Sequence, residues 1–85
     1  MAMDARGDVQ DLMRMRRLAE TGAARAIRES AGLSLSEAEA GSGVERSTIW
    51  RWEMGRRRPH GPAALRYLAF LDELTGVRGR EVVHG

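Results

Sequence analysis

Apolar residues recur at three- and four-residue spacings along most of the chain, and no alternating run is long enough for a strand. The pattern predicts four or five short helices. Asp8 is placed to cap the first, which carries Val9, Leu12, Met13, Met15, Leu18 and Ala19. Thr21 and Gly22 interrupt or bend it, because glycine inside a helix costs about 1 kcal/mol relative to alanine. A second helix over 22–31 sets Ala24, Ile27 and Ala31 on one face and ends at Gly32. Ser34 and Glu37 have the spacing of a capping box, which opens a helix over 34–41. Gly41-Ser42-Gly43 reads as a turn. The next helix spans 45–54, with Gly55 as its left-handed stop. A basic loop covers 55–61, and Pro62 suits the first turn of a last helix that runs through Ala64, Leu65, Leu68, Leu71 and Leu74 to Gly76.

The helix over 45–54 has two unlike faces. At about 100° per residue, Arg46, Ser47, Trp50, Arg51 and Met54 share one arc of about 140°. Ile49 and Trp52 lie away from it and are the expected core anchors. The first arc has chemistry suited to a DNA groove. Arginine can donate to guanine O6 and N7, a small hydroxyl adapts to any base, and an aromatic ring can press on a thymine methyl or a sugar. For Trp50 the alternatives are a second core residue or a dimer contact.

Charge sharpens this picture. The chain has 85 residues and a net charge of +2, with all 14 of its basic residues arginine. Arg46 to Arg58 holds five arginines against one acid, Glu53, as expected of a phosphate-contacting surface. The alternative is a solvated charge run. Length allows one domain, expected over 8–76, between disordered ends at 1–7 and 77–85.

Other classes of function find little support. There is no cysteine, so disulfides, cysteine zinc sites and thiol nucleophiles are excluded. His60 and His84 read as solvated surface residues without ligand-spaced neighbours. No phosphate-cradling glycine motif or serine–histidine arrangement occurs. Glu37 and Glu39, two apart on a helix, point in different directions. No enzyme activity, cofactor, metal or small-molecule ligand is expected. No apolar stretch has the roughly 20 residues needed to span a bilayer, and no signal peptide is apparent. A cytoplasmic, nucleoid-associated protein is expected.

Gly32-Leu33-Ser34, Gly43-Val44, Ser47-Thr48-Ile49, Arg51-Trp52-Glu53, Gly55 and Arg56-Arg57-Arg58-Pro59 together resemble the lambda-repressor-like and Cro-like helix-turn-helix family, over about residues 23–71. The resemblance implies an all-α fold of four or five helices, its motif at 34–54, with an extra N-terminal helix. It implies a sequence-specific transcription regulator of double-stranded DNA, a repressor or a Cro-like phage or prophage switch. Arg46, Ser47, Trp50 and Arg51 fall at the family's base-contacting positions, and Arg57 and Arg58 match its phosphate-contacting loop, to which Arg56 is added. Arg28 and Glu53 match a structural pair tying the first core helix to the recognition helix.

Some positions depart from the family. Leu35 replaces a glutamine, Ala38 and Ser42 replace larger apolar residues, Glu39 replaces a small buried one, and Glu45 replaces a serine or threonine cap. Either Glu39 reaches an arginine or solvent, or the helix over 34–41 is rotated or loosened. The acids at 39 and 45 also favour an alternative: an interaction module of the same fold, an antitoxin or antirepressor, that binds another regulator. On the last helix, Tyr67, Phe70 and Leu74 lie on a second apolar arc. Either the N-terminal helix covers that arc, or a homodimer forms through it or through the N-terminal helix.

Overall fold

Five helices follow one another along residues 5–76, the part of the chain described by the computed structural model. They are α1 (Ala5–Thr21), α2 (Ala23–Ser30), α3 (Leu35–Ser42), α4 (Arg46–Glu53) and α5 (Gly61–Thr75). The expectations for 1–4, for the 77–85 tail and for His84 lie outside the described residues. No strand occurs among the described residues, as the absence of alternating runs predicts.

The helix ends follow local chemistry. Gly22 and Gly32 take left-handed backbone conformations at the two α2 boundaries, where a side chain would meet its own carbonyl. Before α3 the Ser34 hydroxyl accepts from the Glu37 amide at 3.1 Å, and the Glu37 carboxylate accepts from the Ser34 amide at 2.8 Å. Such a cap is worth about 1 kcal/mol. The first helix starts earlier than expected, at Ala5, so Asp8 stands in its first turn instead of capping it. Alanine and arginine at 5 and 6 are good helix formers, and the Asp8 charge still suits the positive end of the helix dipole.

A second difference lies at the end of α3. Gly41 and Ser42 are helical, and the turn falls one residue later. Buried Ser42 donates its hydroxyl to the Ala38 carbonyl at 2.7 Å and accepts from the Val44 amide at 3.1 Å. Those bonds prolong the helix, and Gly43 then supplies the left-handed residue. Gly41 is glycine because α5 passes close by: a Cβ there would stand 2.6 Å from Cε1 of Phe70.

The helices enclose Met15, Ala24, Ala38, Val44, Ile49, Trp52, Ala64, Tyr67, Leu68, Phe70 and Leu71. α5 is the central element, in contact with α1, α2 and α3. This explains its wide apolar surface and corrects one expectation. Tyr67 is 1% and Phe70 9% exposed, with Tyr67 in ring contact with both Trp52 and Phe70. The chain's own helices cover them, so they offer no dimer surface. Leu74 is partly buried against the same core. On α1, by contrast, Val9 and Met13 are exposed.

Two measurements probe this packing. Gly41→Ala should lower stability by about 1–2 kcal/mol in urea unfolding, because crowding of Phe70 outweighs the better helix propensity. Phe70→Leu in the same background should restore part of the loss, and a more stable Gly41→Ala protein would refute the contact. The Tyr67 hydroxyl is buried without a hydrogen-bond partner, and burial raises its pKa well above the ordinary 10.0. The folded state therefore keeps a proton that the unfolded state loses. Its contribution is whole below pH 10 and falls as pH rises beyond, by about 1.4 kcal/mol per pH unit. Tyr67→Phe should remove that alkaline slope and cost nothing at pH 7; a cost above about 1 kcal/mol would reveal a partner for the hydroxyl.

Candidate nucleic-acid interface

The rotation of α4 about its axis is set from beneath. Ile49 is fully buried and Trp52 is 2% exposed, three residues apart on the inner face. Trp52 meets Tyr67 edge-on, at 5.9 Å between ring centroids. The C-terminal end of α4 is held by a buried ion pair. Arg28 of α2 donates Nε and Nη2 to the two carboxylate oxygens of Glu53, at 2.7 and 2.8 Å. The third nitrogen, Nη1, donates to the Leu33 carbonyl at 2.7 Å. The hydrogen-bonded carboxylate holds the guanidinium pKa above its usual value, so Arg28 stays charged. The pair expected from the resemblance is thus formed, and it also fixes the α2–α3 connection.

With that face buried, Arg46, Ser47, Trp50, Arg51 and Met54 all point outward and are exposed. Trp50 is therefore not a core residue: it keeps 40% of its surface accessible. The residues on this face are not equally free. Arg46 donates Nη1 to the Ser36 hydroxyl at 2.6 Å, and its Nε lies 3.8 Å from a Glu39 carboxylate oxygen. It therefore straps α3 to α4. The Ser47 hydroxyl donates to the Glu45 carboxylate at 3.3 Å. Arg51 is exposed and forms no side-chain bond with another described residue.

The Arg46 contact decides between the two expectations for Glu39. The carboxylate reaches an arginine and keeps 41% of its side chain exposed, and α3 keeps its place against α4 and α5. Leu35 is half-buried against the core. Glu45 occupies the cap position of α4 without a side-chain capping bond.

After α4, Gly55 takes the left-handed conformation and the amides of Arg56 and Arg57 close back onto the Arg51 carbonyl. Arg56, Arg57 and Arg58 are exposed. Arg56 also has a partner: its guanidinium carbon lies 5.4 Å from the Trp50 ring centroid, a cation–π contact. The loop is thereby joined to the outward face of α4.

Two contacts from α1 carried no sequence signal. Arg16 donates Nε to the Pro59 carbonyl at 2.8 Å, which props the basic loop. Arg14 pairs with Asp72, whose side chain is 8% exposed, and so ties α1 to α5. The acceptor in the first contact is a main-chain carbonyl, and the partners in the second are 58 residues apart; neither has a local pattern.

Among the described residues no three His, Asp or Glu side chains gather as metal ligands, and no helix is long and apolar enough to cross a membrane. The exposed His60 ring lies 3.2 Å from the Arg58 carbonyl.

A capped short helix, a tight glycine turn and a second helix with an arginine-bearing outer face define a DNA-binding class of small regulator. A family model described as a helix-turn-helix domain matches residues 21–82, and the chain belongs to that family. No curated protein and no solved structure matches the chain.

The buried pair gives a direct test. Arg28→Ala and Glu53→Ala should each cost about 3–5 kcal/mol in urea unfolding, since each leaves a charge buried without its partner. The double variant should cost clearly less than the two losses combined; simple additivity would mean that the side chains act independently.

Proposed function

We propose that this protein is a sequence-specific DNA-binding transcription regulator of the lambda-repressor-like and Cro-like type, acting in the cytoplasm as a repressor or phage-type switch. α4 enters the major groove. Arg46, Ser47, Trp50 and Arg51 face base edges, and Arg56, Arg57 and Arg58 meet backbone phosphates. The observation that carries this reading is the outward face of α4, held exposed by the burial of Ile49 and Trp52 beneath it. Arg51 suits direct readout best, because it is exposed and no other described side chain holds it. Arg46 has to exchange the Ser36 and Glu39 contacts for a base, so its share in specificity is smaller.

A second reading has one specific observation in its favour. Glu45 is exposed at the start of α4, and Arg46 is engaged by Glu39, so this end of the surface is less cationic than its arginines suggest. A partner protein with a basic patch fits that end better than DNA does.

A gel-shift titration on genomic fragments separates the two. DNA binding predicts a complex at low salt whose affinity falls about 10³-fold or more between about 50 and 200 mM salt, given six phosphate contacts. Absence of any shift at low salt favours the protein-interaction reading. If DNA binds, Arg51→Ala should keep the thermal midpoint and lose about 1–3 kcal/mol of preference at one base pair. Arg57→Ala should weaken all sequences alike and flatten the salt dependence. Equal weakening of all sequences by Arg51→Ala would remove that residue from base reading.

A further inference from the structure

We propose that α1 is a second phosphate-gripping element, with Arg17 joining Arg58 of the basic loop on one phosphate of the DNA backbone. The inference rests on the DNA reading above. It concerns a helix that the family match, which begins at Thr21, leaves uncovered.

Two clefts line up along the α1 side of the basic loop. One, of about 320 Å³, lies between the end of α1 and Arg56, Arg57 and Arg58, with Glu20 on its wall. The next, of about 240 Å³, is formed by Met13, Arg16, Arg17, Glu20 and Arg58. Arg58 and Glu20 line both, so the two clefts meet at these side chains, and together they are the trough. It carries five arginines against the single carboxylate of Glu20. Arg16 is occupied by the Pro59 carbonyl, and that bond holds α1 against the loop. Arg17 and Arg58 are exposed, and neither guanidinium has a hydrogen bond or ion pair with another described residue.

Arg16, Arg17 and Arg58 line the same cleft; like charges gathered on one cleft repel one another, and a bound anion relieves that repulsion. The planar guanidinium donates two parallel N–H bonds to phosphate oxygens, a geometry that suits phosphate specifically. The place of the trough selects duplex DNA among phosphate sources. Its near end is Arg56, stacked on Trp50 of the groove-facing helix. A strand whose bases meet α4 therefore runs its backbone over Arg56 and Arg57 toward Arg58 and Arg17.

The experiment compares the full-length chain with Arg17→Ala, Arg17→Lys and Arg57→Ala, binding one labelled duplex from about 50 to about 200 mM salt. Arg17→Ala should reduce the slope of log affinity against log salt by about one, so that affinity falls about 3- to 4-fold less over that range. Its base preference and thermal midpoint should match the parent, and Arg17→Lys should retain most of the slope. An unchanged slope in Arg17→Ala, with Arg57→Ala flattened as expected, overturns the role of α1 and leaves the DNA reading standing. Failure of the parent chain to bind any duplex at low salt overturns both. Inorganic phosphate supplies the remaining arm. If it raises the thermal midpoint of the parent but not of Arg17→Ala, while both have the same DNA salt slope, the trough is a small-anion site and the proposal fails.

Discussion

The buried Arg28–Glu53 pair is the constraint on which the rest of the structure depends. One guanidinium uses its Nε and Nη2 on a carboxylate of α4 and its Nη1 on the carbonyl of Leu33. It thereby fixes three things together: the angle of α4, its position relative to α2, and the chain path into α3. Buried charge is not a cheap source of stability, because removing ions from water offsets most of their attraction. What the pair supplies is geometry. An apolar contact tolerates sliding, whereas a bidentate ion pair has one arrangement.

Everything that faces outward from α4 follows from that arrangement. Ile49 and Trp52 occupy the inner face, so the helix cannot rotate without exposing an indole. The α3 helix is held in register by the helical Gly41 beneath Phe70 and by the strap from Arg46 to Ser36 and Glu39. α5 fills the centre, and α1 closes the side left open by the other four helices. The basic loop is supported at both ends, by Arg56 on Trp50 and by Arg16 on the Pro59 carbonyl.

Much of this was legible from local sequence because the signals were local. The Ser34–Glu37 box, the left-handed stop at Gly55, the helix ends at Gly32 and Gly76, and the three-residue spacing of Ile49 and Trp52 each act within one turn of helix. The same spacing sets Trp50 on the outer arc but leaves a core role open, and its 40% exposure decides against that role. The Arg28–Glu53 pair, separated by 25 residues, was accessible only through resemblance to a family. Gly41 was misread as part of a turn because glycine near a helix end has two uses, and only the approach of Phe70 distinguishes them. The extra helical residue at Ser42 was missed for a similar reason: its hydroxyl serves main-chain groups whose positions no pattern reveals. Tyr67 and Phe70 looked available for a partner because a helical wheel counts apolar faces but not the neighbours that cover them.

The stacking of Arg56 on Trp50 has a consequence for how the surface meets another molecule. A free arginine on a loop samples many rotamers and carries a full hydration shell, and both are lost when it is captured. Here the indole lies 5.4 Å from the guanidinium carbon, and the cation–π contact favours one placement of a side chain that stays exposed. Part of the ordering cost was met when the chain folded. This corner of the molecule therefore presents itself less as a freely sampling cation than as one already placed beside the outward-facing indole.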